Sequence, residues 1–150
     1  MNIDIPVAEL TEADRELVEA AREIVEAHTD GEDGLHTVGA AVRAADGTVH
    51  GGINVYHFTG GPCAELVALG AARANGAREL SAIVAVGNQG RGVLGPCGRD
   101  RQVLLDHHPG IRVLLPVPGG LGSVHIRDLL PFATAWSPDG GSTPYAADVG

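Results

Sequence analysis

Residues 60–86, GGPCAELVALGAARANGARELSAIVAV, contain a turn, a helix and a strand pattern that together predict the class of fold. The glycines and proline at 60–62 favour a turn, and residues 63–74 have the spacing of apolar side chains that is typical of a helix. Asn75-Gly76 is a common way for a helix to end. Residues 80–86 are then almost continuously apolar, as in a strand buried on both faces of a sheet. A helix that leads directly into such a strand predicts an α/β domain.

Similar patterns extend in both directions from this stretch. Residues 11–27 have amphipathic helical periodicity, with a start at Thr11 and Asp14 that resembles a capping box. Two strands are predicted to meet at an Asp46-Gly47 turn, and segment 124–130 fits either a short strand or a helical piece. The remaining predicted elements are strands 38–43 and 48–55, a glycine-rich loop at 87–96, helix 97–106 and strand 111–115.

The resulting order, α-β-β-α-β-α-β, predicts a three-layer α/β/α fold around a mixed sheet. The early hairpin supplies antiparallel strands, and the later β-α-β crossovers supply parallel ones. A length of 150 residues suits one domain, and we assign residues 1–136 to it. Residues 137–150 are rich in Pro, Gly, Ser and Asp, which predicts a flexible C-terminal tail.

Composition narrows the classes of function. The formal net charge is −9 and only 3% of residues are aromatic, whereas nucleic-acid binding needs basic surfaces and stacking rings. We therefore expect a small-molecule substrate and no nucleic-acid partner. No apolar stretch approaches membrane-spanning length, and the N-terminus lacks the basic and apolar regions of a signal peptide. We expect no membrane association and a cytoplasmic location.

Two short motifs place chemically reactive side chains at predicted helix starts. They are Pro62-Cys63-Ala64-Glu65 and Pro96-Cys97-Gly98-Arg99-Asp100. Free backbone N–H groups at a helix N-terminus favour a thiolate, and the spacing of Cys97 and Asp100 puts both on one side of the first turn. If Cys63 faces the same point, two thiolates and a carboxylate converge there. Three such ligands suit a catalytic zinc site with one open position.

Glu65 lies two residues beyond Cys63 and would act on the nucleophilic water rather than bind the metal. Zinc deaminases combine a ligand, a glutamate two residues later and a Pro-Cys-x-x-Cys motif. Zinc makes hydroxide available near neutral pH. A general acid–base at Glu65 could then move protons to the ring and to the departing amine.

Longer stretches around these motifs resemble the blasticidin-S deaminases of the cytidine deaminase superfamily. The similarity spans roughly residues 10–136. It covers 38–47, 54–67 (NVYHFTGGPCAELV), Arg91-Gly92, 96–99, 101–106, 108–111, 126–131 and Trp136. Such long matches are more specific than the two cysteine motifs alone. The resemblance implies a five-stranded sheet flanked by helices, a homotetramer, and zinc between two helix N-termini.

The resemblance also implies a metal and catalytic set. Cys63 and Cys97 would be zinc ligands and Glu65 the proton shuttle, while Asp100 stands in place of the family's third cysteine ligand. A carboxylate keeps the ligand's formal charge, although it is a harder and weaker ligand than sulfur. We expect zinc on Cys63, Cys97 and Asp100. The alternative is that Asp100 only caps its helix and the chain is a zinc-free, non-catalytic homologue.

Substrate contacts follow from the same resemblance. Asn54 corresponds to a substrate-contacting asparagine, and Tyr56 stands where nucleoside-specific cytidine deaminases carry a ribose-binding glutamate. The backbone at Ala64 and around Gly95 is where the family holds the pyrimidine edge, and Trp136 matches an aromatic residue near the substrate. The residues expected at the substrate are therefore Thr37, Asn54, Tyr56, Ala64, Gly95 and Trp136.

The predicted function is that of a zinc-dependent aminohydrolase acting on a small aminated pyrimidine-type compound. Blasticidin S or a cytidine-like nucleoside is the leading substrate, and a free aminated base or another heterocycle is the alternative. Thr37 replaces a family serine but keeps the hydroxyl, whereas Thr134 replaces a tyrosine and removes an aromatic wall. Arg99 and Arg101 flank Asp100 and would either stabilise the anionic ligands or contact solvent or another subunit.

Overall fold

The computed structural model describes residues 4–29, 32 and 34–144. Its three α-helices and its strands follow the predicted order, with short additions towards the C-terminus. The elements are α1 (Glu12–His28), β1 (Val38–Ala44), β2 (Val49–Ile53), α2 (Ala64–Ala74), β3 (Leu80–Gly87), β4 (Gly92–Leu94), α3 (Gly98–His107), β5 (Arg112–Val117), β6 (Gly120–His125), a 3₁₀ helix (Ile126–Leu129), β7 (Thr134–Ser137) and β8 (Gly141–Pro144).

A mixed sheet forms the middle layer, as predicted. Five strands run in the order β2-β1-β3-β5-β6, and the short β4 also pairs with β3. Strands β3 and β5 are parallel, whereas β1 pairs antiparallel with both β2 and β3. The crossover from β3 to β5 contains α3, as parallel neighbours require. This connection brings the N-terminus of α3 to the end of β3.

Alternating side chains of the strands form two cores, one on each face of the sheet. On one face, Ala41, Val84 and Leu114 pack with the buried residues of α1. On the other face, the strand residues that alternate with these in sequence pack against α2 and α3. Ala68 of α2 and Leu104 of α3 are fully buried there. The three-layer α/β/α prediction is therefore confirmed.

Close backbone contact fixes where α2 lies on the sheet. A Cβ atom built on Gly52 of β2 would lie 2.6 Å from the backbone nitrogen of Ala68 and 2.9 Å from Val67. Only glycine leaves room for the helix at this distance. The position of Cys63 at the start of α2 thus depends on a residue without a side chain at position 52.

The capping box predicted at the start of α1 is present and extends into an ion pair. Thr11 Oγ1 accepts from the Asp14 N–H, and Asp14 accepts from the Thr11 N–H. Asp14 is fully buried and also receives two hydrogen bonds from Arg112 of β5, at 2.9 and 3.1 Å. Arg112 in addition donates to Ser123 of β6. The helix start is therefore tied to two strands of the sheet.

Three regions differ from the sequence prediction. The predicted loop at 87–96 contains β4, and segment 124–130 is the end of β6 followed by a 3₁₀ helix. The turn that makes β6 possible uses Gly119 and Gly120, which have φ values of 90° and 152°. A Gly-Gly pair between apolar strands is a recognisable hairpin signal.

The C-terminal region differs as well. Strands β7 and β8 pair antiparallel over Thr134–Ser137 and Gly141–Pro144, where composition predicts a flexible tail from residue 137. Residues rich in glycine and proline also form tight turns, and here Ser137 Oγ accepts from the Gly140 N–H. Residues 145–150 of the predicted tail lie outside the described residues. The assignment of residues 1–136 to one domain stays a prediction.

None of the helices in the described part of the chain has the length and hydropathy of a membrane-spanning segment.

Candidate metal centre and substrate cleft

The two cysteines lie at the N-termini of α2 and α3. Cys63 is the N-cap of α2 and Cys97 the N-cap of α3, and neither thiol makes the side-chain hydrogen bond that an N-cap residue usually supplies. The thiols instead face one another, with 3.5 Å between the two Sγ atoms. Two sulfurs bound tetrahedrally to zinc at about 2.3 Å would lie about 3.8 Å apart. The spacing of the two free thiols therefore suits a shared metal ion.

Asp100 completes this group from the first turn of α3. One carboxylate oxygen and the two sulfur atoms all lie within 4.8 Å of one another. Asp100 is only 1% exposed, and its Oδ1 has no hydrogen-bond partner among the described residues. A buried carboxylate oxygen without a partner carries a large desolvation cost. A cation held by the two sulfurs and the Asp100 carboxylate would offset that cost, so the three residues fit a zinc ion.

The surroundings of Cys63 oppose a thiolate in the absence of a cation. Burial raises the pKa of the Cys63 thiol to about 12, with further contributions from Cys97 and Asp100, although a hydrogen bond from Arg99 counteracts the rise. A metal ion supplies the positive charge that favours the deprotonated ligand and releases the thiol proton.

Glu65 lies in the first turn of α2, two residues after Cys63, and is 6% exposed. Burial, and after it the negative charge of Asp100, raises the pKa of the Glu65 carboxyl to about 8. A carboxyl group whose pKa lies near neutral can both take up and release a proton at that pH, which suits a general acid–base.

The two arginines that flank Asp100 have different roles. Arg99 donates to the carbonyl oxygens of Gly60 and Gly61 at 3.3 and 2.7 Å, and its Nη2 lies 3.6 Å from Cys63 Sγ. Arg101 instead donates to the carbonyl oxygens of Pro96 and Leu129. Among the hydrogen bonds of the described residues, Arg99 contacts a proposed ligand and Arg101 does not.

A cleft of about 240 Å³ opens beside the cysteines. Glu65 is among the residues that line it. The lining residues come from the ends of β1 and β2, from β3 and β4, and from the starts of α2 and α3. They are Val38, Asn54, Val55, Tyr56, Gly61, Pro62, Cys63, Ala64, Glu65, Ala85, Leu94, Gly95, Cys97 and Asp100.

The cleft brings together eight of the ten residues that the sequence singled out. The eight are Cys63, Cys97, Asp100, Glu65, Asn54, Tyr56, Ala64 and Gly95. The apolar wall of Val38, Ala85 and Leu94 was missed. Alternation along the predicted strands could have indicated the buried face, but not which of its residues reach the cleft.

The side-chain amide of Asn54 is oriented by the backbone of residues 35–38. Its Oδ1 accepts from the N–H groups of Thr37 and Val38 at 2.8 and 3.0 Å, and its Nδ2 donates to the Leu35 carbonyl at 2.9 Å. Thr37 is itself absent from the residues that line the cleft. In the described chain, Thr37 thus lies behind the cleft wall as a partner of Asn54.

Trp136 also lies away from the cleft of its own chain. It is in β7 and is 48% exposed. Its backbone N–H donates to the carboxylate of Asp106 near the C-terminus of α3. The cleft is at the opposite end of α3, beside Cys97.

Comparisons with known proteins agree with the fold and the motifs. No protein-family model matches the chain. It is 33% identical over 110 residues to blasticidin-S deaminase of Bacillus cereus, an alignment that covers 67% of this chain and 79% of the relative. It is 41% identical over 98 residues to cytidine deaminase of Mycobacterium tuberculosis, covering 64% and 71% of the two chains.

A solved structure agrees with these relatives. Cytidine deaminase from Burkholderia pseudomallei superposes with a TM-score of 0.66 at 34% identity, over 83% of this chain and 99% of that one. The chain therefore belongs to the superfamily of cytidine and blasticidin-S deaminases.

Proposed function

We propose that the protein is a zinc-dependent hydrolytic deaminase that converts a small aminated pyrimidine-type compound to the oxo product and ammonia. The observation that carries this proposal is the convergence of Cys63, Cys97 and the unpartnered Asp100 oxygen beside Glu65 at one cleft. Membership of the deaminase superfamily supports the same reaction class.

Cys63, Cys97 and Asp100 would hold the zinc. Bound zinc supplies Lewis-acid activation of water, which makes a nucleophile available near neutral pH. Arg99, which contacts Cys63, would offset part of the negative charge of two thiolates and a carboxylate.

Glu65 would carry the protons. It takes one proton from the attacking water and passes it to the ring nitrogen beside the carbon that bears the amino group. It then takes the second proton from the hydroxyl group that the water has added to the ring carbon and delivers it to the amino group, which leaves as ammonia while the oxo group forms. Its burial in the cleft beside the proposed ligands supports this exchange.

The cleft residues would orient the ring. We propose that Asn54 and Tyr56 contact the substrate and that the backbone at Ala64 and Gly95 holds the pyrimidine edge, since all four line the cleft. Blasticidin S or a cytidine-like nucleoside is the leading substrate. A free aminated base or another aminated heterocycle is the alternative, supported by Tyr56 at the position of a ribose-binding carboxylate.

We further propose a homotetramer. Trp136 lies far from the cleft of its own chain, so a substrate contact by this residue requires a neighbouring subunit. Phe132 and Phe58, which are 100% and 88% exposed, are further apolar surfaces that an assembly would cover.

Thr37 would act through Asn54. A cytoplasmic location is supported by the two free thiols, because zinc binding requires them reduced.

The test is ammonia release from cytidine, cytosine, blasticidin S and related aminated heterocycles by protein purified without chelator. We expect activity that is lost on zinc removal and restored by added zinc. Wild-type protein that contains no zinc, binds none when it is added and releases no ammonia would contradict the proposal. That outcome would favour the zinc-free, non-catalytic homologue.

A further inference from the structure

The part of the cleft wall built from strand ends depends on one arginine that lies outside the cleft. Val38 at the start of β1 and Leu94 at the end of β4 both line the cleft. Arg91 belongs to the turn that joins β3 to β4. Its side chain reaches the residue that precedes β1, Thr37, so it links two segments that are 54 positions apart in sequence.

The contacts of Arg91 are well defined. Its Nη2 donates to the Thr37 carbonyl at 2.6 Å and to Asn88 Oδ1 at 3.1 Å, while its Nε donates to the Asn88 carbonyl at 3.3 Å. The Thr37 carbonyl also accepts from the Asn88 N–H at 2.9 Å. A guanidinium that makes several such bonds at once is a rigid connector.

Asn54 holds the same segment from its other side. The Thr37 N–H donates to Asn54 Oδ1, while the Thr37 carbonyl accepts from Arg91, so both backbone polar groups of Thr37 are bound to side chains. The Asn54 backbone adds a bond from its N–H to the Val38 carbonyl. Thr37 and Val38 are therefore held between Arg91 and a cleft residue, Asn54.

Gly87 leaves the space that the guanidinium occupies. A Cβ atom at this position of β3 would lie 2.9 Å from both Cζ and Nε of Arg91. The same Cβ atom would lie 3.0 Å from the Cβ of Arg91. An added methyl group would therefore displace the guanidinium and also press on the base of the same side chain.

We infer that Arg91 is a positioning residue: it holds Thr37 and Val38 so that Val38 and Asn54 present a fixed wall to the substrate. This inference rests on the proposed function. Arg91 has no contact with Cys63, Cys97 or Asp100 among the hydrogen bonds of the described residues. Its removal acts on substrate binding and leaves metal binding unchanged.

The experiment compares Arg91→Met, Arg91→Lys and Gly87→Ala with wild type. The matched control is Arg43→Met, because Arg43 also donates to a backbone carbonyl, that of Ala13, away from the cleft. The readouts are kcat and KM for cytidine and for blasticidin S, zinc per subunit, and hydrogen exchange of the Thr37 and Val38 amides.

We expect Arg91→Met and Gly87→Ala to raise KM about tenfold and to change kcat less than about threefold, because the lost contact orients substrate rather than reacting groups. Zinc content stays at the wild-type value. Exchange at Thr37 and Val38 becomes about tenfold faster. Arg91→Lys keeps one donor and gives intermediate values, while Arg43→Met behaves as wild type.

An Arg91→Met protein with wild-type KM and unchanged exchange would overturn the inference. A loss of kcat in proportion to zinc or folded protein, with KM unchanged, would also overturn it, because that result describes a merely structural residue. If wild type deaminates neither compound, the wider ammonia-release test of cytosine and related heterocycles decides the proposed function separately. Hydrogen exchange then tests the positioning role of Arg91 without activity. Faster exchange of the Thr37 and Val38 amides in Arg91→Met than in wild type supports that role, and unchanged exchange overturns it.

Discussion

Two buried aspartates occupy the first turns of two helices, and their surroundings differ sharply. Asp14 in α1 is 0% exposed, and both of its carboxylate oxygens accept hydrogen bonds. Asp100 in α3 is 1% exposed, and its Oδ1 has no partner in the described part of the chain. The same residue type at the same helical position is satisfied in one case and unsatisfied in the other.

The difference indicates that Asp14 stabilises the fold, whereas Asp100 is available to bind a metal ion. Burial alone would raise the pKa of Asp14, but hydrogen bonds from Arg112 and Thr11 and the charge of Arg112 hold that pKa below 3.8. Asp14 is therefore a stable anion in the folded protein. Asp100 interacts with the Glu65 carboxyl and with the charge of Arg99, but no protein group of the described residues bonds to its Oδ1, which is expected where a metal ion binds.

The largest effect is expected at the cleft. Glu65→Gln should lower kcat by about 10²- to 10⁴-fold, because the amide cannot carry the protons. Zinc content should not change, since Glu65 is not among the three ligands. The measurement is steady-state ammonia release together with metal analysis. A Glu65→Gln protein that keeps full activity would show that another group moves the protons.

Asp14→Asn should lower the free energy of unfolding by about 3 kcal/mol, at the lower end of the cost of breaking a buried ion pair. Arg112 remains one-third exposed, so water can solvate part of the unpaired charge. Urea unfolding measures this change. Zinc per folded subunit and kcat should match wild type, and a selective loss of either would remove the contrast between the two aspartates.

The stabilising contribution of Asp14 should depend on pH. Because its pKa is lowered in the folded protein, the contribution is complete above the unfolded value of 3.8 and is lost as pH falls towards the folded value. The difference in unfolding free energy between wild type and Asp14→Asn should thus be constant from about pH 8 to about pH 5 and shrink below about pH 4. A difference that grows on acidification would contradict this assignment.

The smallest effect is expected for the capping hydroxyl. Thr11→Ala should cost about 1 kcal/mol of unfolding free energy, since it removes one N-cap hydrogen bond while the Arg112 ion pair remains. Thr11→Ser keeps the hydroxyl and should restore most of the loss. Equal destabilisation by both variants would show that packing of the threonine methyl group, rather than capping, matters here.

Much of the fold could be predicted from periodicity. The three helices, the buried strand 80–87 and the β1–β2 hairpin have strong local signals in spacing, caps and turn residues. Strand β4 could not be predicted, because its three residues are too few for a period. Strand β8 has a composition that is equally typical of a flexible tail, and only its pairing with β7 distinguishes the two.

The candidate site shows the same division. Short motifs at helix starts predicted Cys63, Cys97, Asp100 and Glu65, because helical geometry makes sequence spacing a guide to direction. The support of the wall by Arg91 could not be predicted. It depends on a side chain meeting a backbone carbonyl 54 positions away, and no local pattern encodes such a contact.

Whether Asp100 is a zinc ligand is decided by the zinc content per subunit of wild type, Asp100→Ala and Asp100→Cys, all purified identically without chelator. We predict about one zinc in wild type and in Asp100→Cys, where a thiolate replaces the carboxylate, and a substantial loss in Asp100→Ala. Asp14→Asn, prepared in parallel, should retain the wild-type value. Equal zinc content in Asp100→Ala and wild type would contradict the account, because the unpartnered carboxylate would then not be a ligand.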